Sequence, residues 1–242
     1  MRFPEKILIT TLLLALPFFA HAQKWYQVEV IIFSQHDIFG DEGGPANLKL
    51  AYPSRMIDLA NISTDGIYTT SDYQILDKSA RQLNADAYTL NSTGVYKVLY
   101  HQAWRQAGLS ANDTPWIAIQ GGSKIAGHHR LEGSIRLYLS SYLHLNTNLW
   151  LVVPATTSTY AESATAEESG IQSSYMTTDE LPPLPSAMNS PASIDAAMTS
   201  NAVRIDRVYT LTQTERLQLG KIHYLDHPKM GLLIKVTRAE PP

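Results

Sequence analysis

The chain has 242 residues, no cysteine and a formal net charge of −3 at pH 7. Without cysteine it has no disulfide, no thiol nucleophile and no cysteine that could carry a lipid anchor. The mildly acidic balance argues against nucleic acid as a general partner, because such partners select basic surfaces.

Residues 1–22 have the features of a secretory signal peptide. Arg2 and Lys6 precede an apolar run over 7–20, and small residues at positions 20 and 22 fit a cleavage site. The run is shorter than the ~20 residues of a transmembrane helix, and no later stretch is long and apolar enough to span a bilayer. We expect cleavage after Ala22 and a periplasmic protein with no membrane span after cleavage.

The first half of the mature chain predicts three strands and one short helix. The β-branched, alternating stretch 25–33 places Tyr26, Val28, Val30 and Ile32 on one apolar face. Residues 36–72 are rich in Gly, Pro, Asn and Asp and predict a long loop. The spacing of Leu76, Ala80 and Leu83 predicts a short helix within 73–86. Strands are predicted at 96–106 and at 116–120.

The stretch 131–153 shows the clearest period of two. Aliphatic residues occupy the odd positions, whereas polar or aromatic residues, including Arg136, Tyr138, Tyr142 and His144, occupy the even ones. This pattern is typical of a half-buried antiparallel sheet. Asn146-Thr147-Asn148 is the predicted turn, and a three-residue loop there keeps Leu149 and Leu151 on the aliphatic side.

The rest of the chain predicts a mobile segment and then more strands. Residues 155–201 are dominated by Ser, Thr, Ala, Glu and Pro, and we expect little packing beyond a short helix near 193–198. Strands are predicted at 207–219, 221–225 and 231–238. About seven strands without βαβ alternation predict an α+β fold. We expect a single domain over 23–242, built on an antiparallel β-sheet with one or two short helices and long loops, interrupted by the mobile segment.

The stretch HYLDHPKMG, at 223–231, raises the question of a metal or catalytic site. On a helix His223 and His227 would share one face, but Pro228 disfavours a helical conformation at His227. On a strand they lie about 13 Å apart, too far to share one metal ion. Asp226 is a natural turn residue. We therefore interpret the stretch as a turn between two strands, and we expect no metal and no cofactor.

Two groups of side chains are candidates for ligand binding. Tyr100 and Trp104 share one side of their predicted strand with Tyr96, and Arg136 shares a side with Tyr138 and Tyr142. Aromatic rings cover the C–H faces of sugars, and arginine grips a carboxylate in two places. The alternative is that these aromatic residues pack in the interior.

Four segments together resemble the CsiV family of periplasmic peptidoglycan-binding proteins. They are WYQVEVIIF (25–33), YKVLYHQAWRQ (96–106), LEGSIRLYLSSYLHLNTNLWL (131–151) and GKIHYLDHPKMGLLIKV (220–236). The stretch Glu215-Arg216-Leu217 is less basic than expected for such a protein. The resemblance implies a non-catalytic protein that binds peptidoglycan and supports wall synthesis by a class A penicillin-binding protein. It also implies LpoA, the lipoprotein activator of that enzyme, as a partner.

The candidate ligand-binding residues are polar and aromatic side chains of these segments, namely Arg136 and the members of two patches. The first patch comprises His101, Trp104, Arg105 and Gln106, and the second comprises Tyr142, His144, His223, Tyr224, Asp226 and His227. Tyr224, Asp226 and His227 could instead stabilise the last hairpin. Two other functions stay open: an adaptor that contacts the wall only through its partner, and a metal-dependent wall hydrolase.

Overall fold

A computed structural model describes residues 23–35, 48–60, 72–155, 176–186 and 202–241. These residues form eleven strands, one α-helix, α1 (Asn84–Ser92), and short 3₁₀ helices at Lys78–Ala80 and Thr178–Glu180. The strands are β1 (Trp25–Gln35), β2 (Met56–Ile57), β3 (Tyr73–Ile75), β4 (Tyr96–Ala107), β5 (Trp116–Ile125), β6 (His128–Leu139), β7 (Leu143–Pro154), β8 (Ile205–Leu211), β9 (Thr214–Leu217), β10 (Ile222–His227) and β11 (Met230–Ala239).

The strands form two sheets. Sheet A has the order β10-β11-β1-β4-β3, and sheet B has the order β2-β5-β6-β7-β8, with β9 also paired to β7. The β2–β5 pairing is parallel, and the other pairings between the described strands are antiparallel. The prediction of an antiparallel β architecture with one or two short helices is confirmed, although strands dominate more than the predicted α+β class implies. The prediction of one sheet with about seven strands is wrong, because the strands divide between two layers.

The main core lies between the two sheets. Val28, Val30 and Ile32 of β1 are fully buried, as the predicted apolar face of this strand requires. The aliphatic odd positions of β6 and β7 form the opposite wall: Ile135, Leu137, Leu145, Leu149 and Leu151. Each such side chain contributes about 1.5–3 kcal/mol when fully buried, so the face-to-face contact of the sheets is the main source of stability.

The helix begins later than the sequence predicted. Within 73–86 the structure has strand β3, a 3₁₀ turn and only the first residues of α1. The same i, i+4, i+7 spacing of apolar residues occurs seven residues later, at Leu83, Ala87 and Leu90. These three side chains pack against the outer face of sheet A. Gly94, with φ +73°, follows the helix and ends it.

The β6–β7 hairpin turns at residues 140–142, not at the predicted Asn146-Thr147-Asn148. Leu139 pairs with Leu143, and the Ser140 amide donates to the Tyr142 carbonyl at 2.9 Å. Asn146 lies inside β7 opposite Arg136. The predicted turn and the observed turn each contain three residues. The aliphatic residues therefore lie on the predicted side of β7, although the predicted position of the turn is wrong.

A β-bulge in β4 separates aromatic residues that the sequence placed together. Ile32 pairs with Tyr100 whereas Phe33 pairs with Val98, so one extra residue lies in β4. Tyr100 packs in the inter-sheet core, but Tyr96 lies on the outer face, edge-on to Phe33 at 5.3 Å between ring centroids. The predicted single aromatic side of β4 is therefore wrong at Tyr96.

Two segments cover half of the outer face of sheet B. Tyr52 packs edge-on against Trp150 with ring centroids 4.8 Å apart, and Leu181 is buried in the same cluster. Leu181 belongs to 176–186, a part of the predicted mobile segment that packs on sheet B. The remainder of that segment, the predicted signal peptide at 1–22 and the predicted helix near 193–198 lie outside the described residues.

The stretch HYLDHPKMG forms strand β10, a turn and the start of β11. His227 pairs with Met230, so Pro228 and Lys229 make a two-residue turn. The interpretation of this stretch as a turn between two strands is confirmed. Across the described ranges, no helix has the length and apolar character needed to cross a membrane.

Candidate ligand-binding face

Two members of the first predicted patch are buried between the sheets. Trp104 is 0% exposed, and its Nε1 donates to Gln106 Oε1 at 2.9 Å. Gln106 Nε2 donates to the Leu137 carbonyl of sheet B at 2.9 Å. These bonds join the two layers in the interior, so a ligand at the surface does not reach either side chain.

His101 lies on the outer face of sheet A and contacts a buried carboxylate. Its Nε2 is 2.7 Å from Oε1 of Glu29, which also accepts hydrogen bonds from the amides of Gln82 and Leu83 at 2.6 and 2.9 Å. Burial alone would raise the pKa of Glu29, but these hydrogen bonds and the charge of His101 hold it below its usual value. His101 therefore supports the start of α1.

Arg105 is apart from the other members of the first patch. It lies on the outer face of sheet A, in register with Gln27 on one side and Gln74 on the other. Arg105 is partly buried, and its Nε has no hydrogen-bond partner among the described residues. The first patch is thus not one surface.

The second predicted patch also divides. His223 accepts a hydrogen bond from the Gln218 amide at 2.8 Å, and His227 contacts the ring of Tyr209, with centroids 5.9 Å apart. Both histidines occupy one side of β10, and Tyr224 occupies the other. Burial lowers the pKa of His227, although the charge of Asp226 opposes this shift.

Tyr224 and Asp226 form a small group on the outer face of sheet A. The Tyr224 hydroxyl donates to Asp226 Oδ1 at 2.5 Å and accepts from Gln35 Nε2 at 3.3 Å. Its ring stacks on Phe33, with centroids 6.3 Å apart, and half of the side chain is exposed. Burial, with the adjacent carboxylate, raises the pKa of Tyr224.

The structure brings Arg136, Tyr142 and His144 together on the uncovered half of the outer face of sheet B. Four further side chains complete this surface, which we call the sheet B face: Trp116, Tyr138, Asn146 and Arg216. Strand register sets the arrangement. Arg136 lies opposite Asn146, while His144 lies between Tyr138 on β6 and Arg216 on β9.

Aromatic rings hold both guanidinium groups of the sheet B face. The Arg136 guanidinium carbon is 4.8 Å from the Trp116 ring centroid and 5.3 Å from that of Tyr138, and Nη1 donates to the Ala111 carbonyl at 3.1 Å. The Arg216 guanidinium carbon lies 3.2 Å from the ring centroid of Tyr142. Such contacts restrict a long side chain. The N–H edges of Arg216 are exposed, whereas Nε of Arg136 is buried and has no hydrogen-bond partner among the described residues.

Ring surfaces and a positive charge therefore dominate the sheet B face. Tyr138 and His144 stack at 5.3 Å with an angle of 15° between their planes, and Tyr142 is 50% exposed. The described strand residues of this uncovered half include no carboxylate, because Glu132 is buried at the covered end. The face can stack on sugar rings or peptide groups and attract anions.

The two patches predicted from the sequence do not include Trp116, Asn146 or Arg216, and Tyr138 was predicted only to share a side with Arg136 and Tyr142. The period-two pattern places Tyr138 on the side of Arg136, whereas Asn146 falls in the predicted turn. Arg216 depends on the pairing of β9 with β7, which is a long-range contact. The local pattern therefore contained a signal for Tyr138, but none for the observed position of Asn146 or of Arg216.

A separate cleft of 320 Å³ opens between the edges of the two sheets. It is lined by apolar and polar residues: Asp58, Leu59, Ala60, Ile75, Tyr100, Gln102, Ala118 and Gln120. Burial raises the pKa of Asp58, although a hydrogen bond from the Ala60 amide opposes this shift. Within the described ranges, no group of three or more His, Asp or Glu side chains is arranged to hold a metal ion.

One comparison with known proteins identifies a family. The family model described as "Peptidoglycan-binding protein, CsiV" matches residues 6–239. No curated protein and no solved structure shows significant similarity to the chain. The match covers nearly the whole chain and includes all the strands described above. The protein therefore belongs to the CsiV family of peptidoglycan-binding proteins.

Proposed function

We propose that this protein is a non-catalytic periplasmic factor that binds peptidoglycan through the sheet B face and supports wall synthesis by a class A penicillin-binding protein. Membership of a peptidoglycan-binding family supports the ligand. We place the binding site on the sheet B face because Arg216 and Tyr142 form an exposed stacked pair there, beside the partly exposed His144. This surface offers stacking and charge together, and peptidoglycan presents sugar rings and carboxylates together.

A shallow face suits an immobile polymer. Each contact with a single repeat unit can be weak, because many identical units are presented side by side and one molecule rebinds rapidly after release. The ring of Tyr142 offers a plane for a sugar or a peptide group, while Arg136 and Arg216 donate hydrogen bonds. No deep cavity is required for this mode of binding.

The roles proposed for the predicted residues follow from their positions. Arg136, Tyr142 and His144 contact the polymer, and Tyr224 with Asp226 forms a second, smaller surface on sheet A. Of the remaining six, Arg105 is an outlying surface residue, and the other five act in folding rather than in binding. These five are His101, Trp104, Gln106, His223 and His227.

The proposed protein partner is LpoA, the lipoprotein activator of a class A penicillin-binding protein. One feature favours the alternative in which the chain is mainly an adaptor. Strand β10 lies at the edge of sheet A. This strand and the residues just before it have three large apolar side chains with high exposed fractions: Leu219 (40%), Ile222 (47%) and Tyr224 (50%). Exposed apolar residues on a sheet edge are a common protein-contact surface.

Co-sedimentation of the purified chain, lacking residues 1–22, with protein-free sacculi tests the proposal. We expect the protein in the pellet both with and without EDTA, and no soluble muropeptides in the supernatant. Absence from the pellet would contradict direct binding and favour the adaptor. Loss of binding in EDTA together with release of muropeptides would instead support a metal-dependent hydrolase.

The partner is tested separately by pull-down with the periplasmic part of LpoA. We expect retention of the wild type and weaker retention of an Ile222→Asp variant, in which a charge replaces an exposed apolar group. Lys221→Asp is the matched control on the neighbouring exposed residue. No retention of the wild type would remove LpoA from the proposal.

A further inference from the structure

We propose that the sheet B face recognises the peptide stems of peptidoglycan through their carboxylates, with Arg216 and Arg136 as the two binding groups. This inference rests on the proposed function, and it names the part of the polymer that is bound. The alternative source of affinity is the glycan strand, whose N-acetylated sugars offer rings and amides but little charge.

Arg216 has the geometry of an available carboxylate-binding group. The side chain is exposed, and the ring of Tyr142 covers one side of its guanidinium plane. Within the described part of the chain Arg216 forms no ion pair and no hydrogen bond through its side chain. A guanidinium donates in its own plane, so a ring stacked on that plane leaves the donating edges available for a carboxylate in a two-point contact.

Arg136 has a positive charge that the described residues do not neutralise with a carboxylate. Its contacts are the rings of Trp116 and Tyr138 and the Ala111 carbonyl. A partly buried cation that meets only rings and a carbonyl attracts an anion from outside the protein. The loop that carries Ala111 also fixes the side chain, so little conformational entropy is lost on binding.

The spacing of the two arginines matches a ligand with two separated carboxylates. Arg136 and Arg216 lie on strands that flank β7, displaced by two residues along the strands. With about 4.8 Å between strands and 3.4 Å per residue, their Cα atoms are about 12 Å apart. His144 and Asn146 of β7 lie between them. The Arg136 guanidinium rests on Trp116 and Tyr138, and the Arg216 guanidinium rests on Tyr142. We therefore treat them as two separate binding points, which a short peptide with carboxylates on different residues can engage together.

The test is an NMR titration of the folded chain with three soluble probes at millimolar concentration. The first is a synthetic stem tripeptide with free carboxylates, the second is the same peptide with those carboxylates amidated, and the third is an uncharged chitin oligosaccharide. We expect the free acid to bind at least 10-fold more tightly than either other probe. We expect the largest shifts in β6, β7 and β9.

Conservative variants separate the carboxylate contact from simple charge attraction. Arg216→Lys keeps the charge but loses the planar donor pair, and we expect at least a 5-fold weaker affinity for the free acid. Arg136→Lys should do the same in a chain whose spectrum is otherwise unchanged. Arg238→Lys, on an exposed arginine of sheet A, is the matched control and should change the affinity less than 2-fold.

The outcomes distinguish this inference from the proposed function. Equal affinity for the free and amidated peptides, or binding of the chitin probe alone, overturns the inference while binding to sacculi leaves the proposed function in place. Shifts on sheet A instead of sheet B also overturn it. Failure to bind sacculi overturns both.

Discussion

Glu29 and His101 face each other across neighbouring strands of sheet A, with 2.7 Å between Oε1 and Nε2. The same carboxylate receives the amides of Gln82 and Leu83, the two residues that lead into α1. Lys235 is the directly paired residue on the other side of Glu29. One buried carboxylate thus connects the sheet to the start of the helix that covers it.

Replacing Glu29 with Gln should destabilise the protein in a pH-dependent way. The folded-state pKa of Glu29 lies below its usual value, so its stabilisation is complete above the unfolded pKa of about 4.3 and is lost as the pH falls through the folded value. We expect the free energy of unfolding to fall by about 1.5–3 kcal/mol at pH 7, and we expect the difference from the wild type to become smaller below about pH 4. Urea unfolding from pH 7 to pH 3 measures the difference.

Glu215→Gln is the control for this series, because Glu215 is 48% exposed and lies 4.0 Å from His223. It should change the free energy of unfolding by less than about 0.5 kcal/mol at every pH. A Glu29→Gln effect that stays constant or grows toward acid pH would contradict the assigned role of the carboxylate.

Trp104→Phe should weaken folding without weakening binding. The substitution keeps most of the apolar volume but removes the donor to Gln106 Oε1, a buried acceptor. Leaving such an acceptor unsatisfied costs about 1–3 kcal/mol. Circular dichroism during urea unfolding measures the loss, and co-sedimentation of the folded variant with sacculi measures binding. Loss of binding with unchanged stability would return Trp104 to the ligand site.

Gly133→Ala should be among the most destabilising single substitutions in the chain. Gly133 has φ +127°, and an added Cβ would lie 2.1 Å from the Asn148 carbonyl oxygen of the paired strand β7. We expect a loss above about 3 kcal/mol, from backbone strain plus displacement of β7. Gly94→Ala is the matched control, since φ is +73° but no atom lies within 4 Å. Similar losses in the two variants, measured by urea unfolding, would contradict close approach of β6 and β7.

Tyr224→Phe tests whether the outer face of sheet A belongs to the main site. It removes the hydrogen bond to Asp226 and the acceptor for Gln35 but keeps the stack on Phe33. We expect a loss of about 0.5–1.5 kcal/mol in stability and less than a 2-fold change in binding to sacculi. A large loss of binding in a folded variant would move the main site to sheet A.

The sequence predicted which side of most strands is buried, because period-two alternation is a local property. It did not locate the β6–β7 turn, since loops at 140–142 and at 146–148 preserve the same alternation. Asn-Thr-Asn has the more turn-like composition, but Thr147 instead bonds to the backbone of Gln213 next to β9. The tertiary pairing therefore outweighs the local turn preference.

The candidate site was predictable only in part for the same reason. Arg136 and His144 belong to one local hairpin, and their shared side follows from the alternation. Trp104 and Gln106 have the same alternating pattern, but a second sheet covers their side, which local sequence does not indicate. The bulge at Leu99 likewise depends on pairing with β1.

Direct binding of peptidoglycan by the sheet B face is tested by comparing the affinities of folded variants for sacculi. Sacculi are titrated with the folded wild type and with a Tyr142→Ala, Arg216→Ala double variant. The matched control is Tyr88→Ala, Arg238→Ala, which removes an exposed tyrosine of α1 and an exposed arginine of sheet A.

We expect the double variant of the sheet B face to bind sacculi at least 10-fold more weakly than the wild type, and we expect the control to bind like the wild type. All three proteins should unfold at similar urea concentrations, because the altered side chains are exposed. Equal binding by the wild type and the sheet B variant would contradict the claim that this face binds the wall.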